Sequence, residues 1–307
     1  MNTEYTRFID QSNLVSLVPS TITWEQLEPG ELDVAYRVLQ VGPLVVSSRT
    51  VNLAFRGYAQ VSAHRSGIIA VESDGLARWR GTEFDATRLA VGNEIDVRTS
   101  GKTTIFGMVV DERALGSRVP DSLDASDLVD RLTHNKVTHA PDGAGAFRAA
   151  IKAICGHREV PLAASGTLIP MMAAMLDSAD EYSVERSHCL NRRYAAVRAC
   201  EKYMREHVAE TITLLDLSRA SGMRSRSLMN AFEAIVGFSP MDYLKRLRLS
   251  AVRRALVRPG SAPTRIIDIA MEWGFSHMGH FARDYRAMFG EPPSQTLAGV
   301  RRALAVT

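Results

Sequence analysis

One short pattern occurs twice near the C-terminus: a glycine, the first core residue of a helix six or seven positions later, and a closing glycine. The first copy runs from Leu217 to Gly237 and the second from Ile269 to Gly290. In the first, a helix begins after Thr213 and stops at Gly222, and Leu228, Phe232 and Ile235 then recur at i, i+4 and i+7, the spacing of one buried helical face. In the second, Ile266, Ile269 and Ala270 precede Gly274, and Phe281, Tyr285 and Phe289 make the stripe that follows. Two short helices joined by a tight turn at a glycine are the sequence form of a helix-turn-helix. An internal duplication of that unit constrains the fold far more than a single match.

The surrounding residues extend the helical reading. Ser239-Pro240 opens a longer helix, with serine as cap and proline near the first turn. Its Tyr243, Leu244, Leu247, Val252 and Leu256 are expected to face inward, with Lys245, Arg246, Arg248, Arg253 and Arg254 solvated, and Pro259-Gly260 ends it. Upstream, Tyr194, Val197, Glu201, Met204 and Val208 share one mostly apolar face. Net charge of +3 conceals an asymmetry: residues 190–307 carry 19 Lys and Arg against 10 Asp and Glu, leaving 18 against 24 for residues 1–189. A basic C-terminal part is a candidate for phosphate contact.

These residues resemble the C-terminal DNA-binding domain of the AraC/XylS family of transcription regulators. The resemblance covers roughly Arg193 to Leu297 and rests on "GFSPMDYLKRLRLSAVRRAL" at Gly237–Leu256 and "IIDIAMEWGFSHMGHFARDYRAMFGEPPSQT" at Ile266–Thr296. Ser218 stands where the family usually has alanine and Arg224 where it often has a capping serine, so Ser225 is the expected cap of the first reading helix. The family's base-contacting positions correspond here to Arg226, Met229 and Asn230 in the first unit, and to His277, Met278, Gly279, His280 and Arg283 in the second. With Ser225, these nine make the expected DNA-binding set. The resemblance also implies double-stranded DNA with a bipartite site as partner, RNA polymerase as a second partner, and a homodimer.

Helical geometry qualifies the roles. At 3.6 residues per turn, His280 and Arg283 lie nearly opposite the Phe281/Tyr285/Phe289 stripe, Gly279 and Arg286 flank them, and Met278 lies nearer the core. Arg226 and Arg283 suit guanine edges, Asn230 suits adenine and Met229 a thymine methyl; the alternative for either arginine is a phosphate contact that positions without reading sequence. His280 could instead bond backbone or phosphate. His277, His280 and Asp284 fall at i, i+3 and i+7, yet a metal needs a third and usually a fourth ligand, and only Asp284 lies near that face. The histidines are read as facing the groove, and no metal or cofactor is expected.

Residues 1–189 read differently. Between about Leu32 and Val110, runs such as "LDVAYRVLQVG", "PLVVSSRTVNLAFRG" and "KTTIFGMVV" argue for an antiparallel sheet folded into a cupin-like roll. Helical periods follow: Leu123, Leu128 and Leu132, then Phe147, Ile151 and Ile154, then Met171, Met172, Met175 and Leu176 within 170–179, the methionines being packing residues or part of a dimer seam. The fold expected is α+β: an N-terminal β-rich roll with helices at 1–177, a linker at 178–193, and an all-α domain with two helix-turn-helix units at 194–307. The first part resembles, in layout, the family's effector-binding and dimerisation half. Arg37, Arg49, Arg56, Arg65 and Trp79 are expected mostly at the surface, and no effector contact is assigned.

Enzyme readings find no support. His64 is the sole histidine of the strand region, no His-x-His occurs anywhere, and neither a Gly-x-Ser-x-Gly turn nor a phosphate or dinucleotide loop is found. The apolar stretch from Ala163 to Leu176 is broken by Ser165, Gly166 and Pro170, too short to span a membrane. The N-terminus carries Glu4 and Asp10, unlike an export signal. Cys155, Cys189 and Cys200 lack metal spacing, which suits a reduced cytoplasmic compartment. The reading is a cytoplasmic, sequence-specific regulator, an activator answering a small-molecule effector; the alternative is an effector-independent regulator or repressor governed by abundance or a protein partner.

Overall fold

A computed structural model describes residues 20–28, 30, 32–115, 124–157, 164–177, 180–181, 187–257 and 265–305. The chain divides into two compact units, one of residues 1–27 and 32–185 and one of residues 28–31 and 186–307. Leu123, Cys189's side chain and Pro259-Gly260 lie outside the described residues.

Among the described residues the first unit opens with ten strands: β1 (Ser20–Gln26), β2 (Val34–Val41), β3 (Leu44–Val51), β4 (Phe55–Val61), β5 (Arg65–Ser73), β6 (Ala77–Trp79), β7 (Thr82–Glu83), β8 (Arg88–Gly92), β9 (Glu94–Thr99) and β10 (Thr103–Asp111). There follow α1 (Glu112–Leu115), α2 (Ala125–Thr133), β11 (Lys136–His139), α3 (Pro141–Gly156), α4 (Ala164–Asp177) and β12 (Asp180–Glu181). Five strands form one sheet in the order β1-β4-β9-β6-β7, and seven form another in the order β12-β11-β8-β5-β10-β3-β2. An α+β roll is thus observed. Strand alternation splits the core in two. Phe106, Met108 and Val110 of β10, with Ile68, Ala70, Leu89 and Val91, bury against Phe147 and Ile151 of α3 and Met172, Met175 and Leu176 of α4. The opposite face presents Ile69, Val71 and Ala90 to Ala77, Trp79 and Val97 of the five-stranded sheet. Met172 and Met175 are therefore core residues of this unit.

Two expectations are corrected. Arg56 and Trp79, read as surface residues, are 2% and 6% exposed. Arg56 is held by Asp96 through Nε–Oδ1 and Nη2–Oδ2 hydrogen bonds of 2.8 and 2.5 Å, a bidentate pair that meets the cost of burying both charges. Arg37 donates to the carbonyls of Cys155 and His157, at the end of α3 where helical carbonyls lack partners. The stretch 178–193 read as a linker contains the start of a helix, which begins at Ser187. β11, only four residues long, interrupts the region read as helical; so short a run carries no periodic signal.

The second unit is all helical: α5 (Ser187–Glu206), α6 (Leu214–Ser221), α7 (Ser225–Ile235), α8 (Pro240–Val257), α9 (Ile266–Glu272), α10 (Met278–Phe289) and α11 (Pro293–Ala305). It has two cores. Tyr194, Val197, Cys200 and Met204 of α5 meet Leu217, Leu228, Phe232, Ile235, Tyr243 and Leu244. Leu249, Val252 and Leu256 meet Ile269, Ala270, Phe281, Tyr285, Met288 and Phe289. α8 thus enters the first core with its N-terminal turn and the second with the rest.

Gly92 sits at the turn from β8 to β9, which belong to different sheets. Its φ is +145°, and a Cβ there would lie 2.8 Å from the Cα of Asn135, whose side chain accepts from the Glu94 amide. Gly92→Ala is therefore expected to destabilise the first unit by about 1–3 kcal/mol. Urea unfolding with tryptophan fluorescence checks it, and an unchanged midpoint would mean that the turn relaxes at no cost.

Candidate nucleic-acid interface

The geometry of the helical unit is set locally before it is set by packing. Thr213 caps α6: its Oγ1 accepts from the Asp216 amide at 3.3 Å while Asp216 Oδ2 accepts from the Thr213 amide at 2.9 Å, a reciprocal capping box. Its hydrogen bonds hold the Asp216 carboxyl below the usual range. Gly222 ends α6 at φ +65°, the left-handed cap that glycine adopts at least cost. α7 then starts at Ser225 with Arg224 as its N-cap, without a side-chain capping bond. This corrects the expectation that Ser225 is the cap. Its hydroxyl instead lies 2.9 Å from that of Ser218, so one of the two positions that depart from the family pattern bonds Ser225 across the turn. Deep in the first core, burial pushes the Cys200 thiol up to about 11, while its Sγ donates to the Leu217 carbonyl.

The second helix-turn-helix is built alike, with a turn of five residues, 273–277, against three, 222–224. Gly274, at φ +80°, follows α9, and α10 begins at Met278 with His277 as an N-cap whose side chain makes no capping bond. α10 is oriented from below: Tyr285 Oη donates to Thr296 Oγ1 at 3.1 Å and Thr296 donates to Glu291 at 2.6 Å. Burial raises the Tyr285 phenol above its ordinary value.

α8 ties the two together through side chains that were expected to be solvated. Arg248 Nε donates to the Val208 carbonyl at 2.9 Å and its Nη2 to that of Glu210. Arg246 stacks over Phe238 at 4.0 Å from the ring centre. Arg253 stacks on Phe289 at 4.6 Å and reaches Glu291 at 3.5 Å, while Lys245 pairs with Asp284 at 3.7 Å. Long cationic side chains bury their stems and carry their charge to a distant partner, which an amphipathic pattern alone does not reveal.

Seven of the nine expected DNA-binding residues are exposed on α7, on α10 or at its N-cap: Arg226, Met229, Asn230, His277, Gly279, His280 and Arg283. Two are turned inward: Ser225, bonded to Ser218, and Met278, packed against the second core. Met229, 45% exposed, is an apolar side chain presented to solvent on a face otherwise polar. The His277 and His280 rings stand 5.9 Å apart. Asp284, the third residue of that spacing, is engaged by Lys245 and lies 3.7 Å from Arg283; among the described residues no three His, Cys, Asp or Glu group to hold a metal. The same outward faces carry Ser227, Glu233, Ala282 and Arg286, which the motif assignment omitted. A helical wheel drawn from the core stripe does place Glu233 and Arg286 outside.

Residues 217–299 match the helix-turn-helix domain family. The chain is 36% identical over 104 residues to the XylDLEGF operon transcriptional activator of Pseudomonas putida, covering 34% of this chain and 32% of that protein. It is 38% identical over 97 residues to XylDLEGF operon transcriptional activator 2 of the same organism, covering 32% and 62%. A crystal structure of a probable AraC family transcriptional regulator from Rhodopseudomonas palustris is 43% identical, covering 34% of this chain and 96% of that one, with a TM-score of 0.33. The chain thus spans about a third of the length of the first activator and less than two thirds of the second. The helical unit thus carries the helix-turn-helix domain of the AraC/XylS family of transcriptional regulators.

Proposed function

We propose that this protein binds a bipartite site on double-stranded DNA with α7 and α10, and that it activates transcription in response to a small molecule held by its first unit. The observation that carries the DNA reading is the repetition of one exposed polar face on two helices, each backed by its own core and each packed on α8. A basic unit facing a polyanion gains affinity by releasing counterions, and side chains on a helix in the major groove supply the sequence preference. Activation is carried over from the relatives named as activators. RNA polymerase as partner, a homodimer formed by the first unit, and a cytoplasmic site of action belong to the same proposal.

The effector reading is supported by the cavity between the two sheets. It encloses about 70 Å³ and is lined by apolar side chains, among them Val45, Ile69, Ile95 and Val97, together with Ser47 and Arg49. Burial pushes the Arg49 pKa down to about 10, so its guanidinium keeps its charge at neutral pH in surroundings that solvate it poorly. Such a lining suits a compact effector with an apolar body and one anionic group. Binding would bias the equilibrium between DNA-competent and incompetent arrangements only by its differential affinity for the two.

Selection of bound sequences from a random duplex pool tests the DNA reading. Two blocks about one helical turn apart are expected, with Arg226→Ala relaxing one and Arg283→Ala the other, each at a cost of about 1–3 kcal/mol. A uniform loss on all sequences with a shallower salt dependence would assign the arginine to phosphate. For the effector, thermal melts of the full chain with octanoate and with 1-octanol should show a shift for the acid that Arg49→Met abolishes. Equal shifts by acid and alcohol would remove Arg49 as the anchor, and no shift by either would count against this class of effector.

A further inference from the structure

We infer that Glu233 is a specificity filter of the first reading helix, accepting a hydrogen bond from a cytosine amino group in the major groove and disfavouring duplexes that offer none there. The inference rests on the proposed entry of α7 into the groove.

The two reading helices superpose by their core stripes, Leu228, Phe232 and Ile235 on Phe281, Tyr285 and Met288. This register places Arg226 with Gly279, Asn230 with Arg283, and Glu233 with Arg286. At the third turn the two units therefore present opposite charges from the same position. Both side chains are exposed, and neither Glu233 nor Arg286 has an ion pair or side-chain hydrogen bond with a described residue. No cation lies three or four positions from Glu233: those places hold Met229, Asn230, Val236 and Gly237. The carboxylate thus stabilises nothing in α7, although a negative charge on a helix face turned to DNA is repelled by every phosphate near it.

Major-groove chemistry says what would offset that repulsion. Cytosine shows there an amino donor and no acceptor, whereas adenine sets an N7 acceptor beside its amino group, and guanine and thymine offer acceptors. A carboxylate, which only accepts, is matched by cytosine and mismatched by the rest. Position follows from helix geometry. Arg226, Asn230 and Glu233 lie at i, i+4 and i+7 along one outward stripe, and seven residues at a rise of 1.5 Å span about 10 Å, or about three base pairs at 3.4 Å each. The first block should then hold a cytosine about three base pairs from the position that Arg226 reads. In α10 the corresponding position holds Arg286, which supplies affinity instead.

The test is sequence selection from a random duplex pool with the full-length wild type, Glu233→Gln and Arg286→Gln, with affinities for a non-specific duplex measured against salt. Far-UV circular dichroism confirms that each variant is folded. Glu233→Gln should lose the cytosine preference at one position by about fivefold or more and bind the non-specific duplex more tightly. Arg286→Gln should weaken binding to all sequences and reduce the salt slope by about one, leaving the first block unchanged. Unaltered selection by Glu233→Gln overturns the inference, and so does tighter binding with the same base preferences, which would mean that the carboxylate meets phosphates alone. If the wild type enriches no sequence, the reading of α7 as a groove helix fails, and the inference falls with it.

Discussion

α8 is the element on which the helical unit depends, because it is the one helix that both cores share. Tyr243 and Leu244 close the first core, and Leu249, Val252 and Leu256 close the second. A helix of 18 residues is about 27 Å long at 1.5 Å per residue, the same order as one turn of B-DNA. The two reading helices are thereby fixed to one rigid strut. Arg246, Arg248 and Arg253 stiffen that arrangement by stacking on aromatic rings or bonding backbone carbonyls. A basic side chain on α8 is in this sense part of the scaffold, although its charge also contributes to the field that a polyanion meets.

The two helix-turn-helix units use one architecture with different local chemistry. The first has a capping box at Thr213 and Asp216 and a hydroxyl pair across its turn. The second has a turn two residues longer, an N-cap, His277, whose side chain makes no capping bond, and the Tyr285–Thr296–Glu291 chain beneath α10. Duplication followed by such divergence leaves the core stripe intact, since both stripes must fill a small space at high density, and leaves the outward stripe free to differ. Those outward stripes differ in charge, Glu233 standing on one where Arg286 stands on the other.

The first unit obeys another constraint. Its seven-stranded sheet is covered on one face by α3 and α4 and on the other by the five-stranded sheet, so alternation along each strand sorts side chains between a helical core and the space within the roll. Arg56 and Arg49 both lie in strands, yet Arg56 is neutralised by Asp96 while Arg49 lines the cavity.

Periodicity alone determined the helical unit: the spacing of apolar residues, the glycines at Gly222, Gly274 and Gly290, and the caps at Thr213 and Ser239 are local signals, and the helices they specify pack mainly on sequence neighbours. The outward stripe of each reading helix was legible for the same reason, since a helix with a known buried face has a known exposed one. Tertiary structure decided the rest. That Ser225 bonds Ser218 rather than capping α7 and that Arg248 holds the 208–210 turn both depend on partners distant in the chain or in rotamer. In the first unit the dependence is greater, because strand pairing is non-local and a slip of one residue would exchange the two faces. The burial of Arg56, the strand at Lys136–His139 and the cavity beside Arg49 are products of that pairing, and no run of residues encodes them by itself.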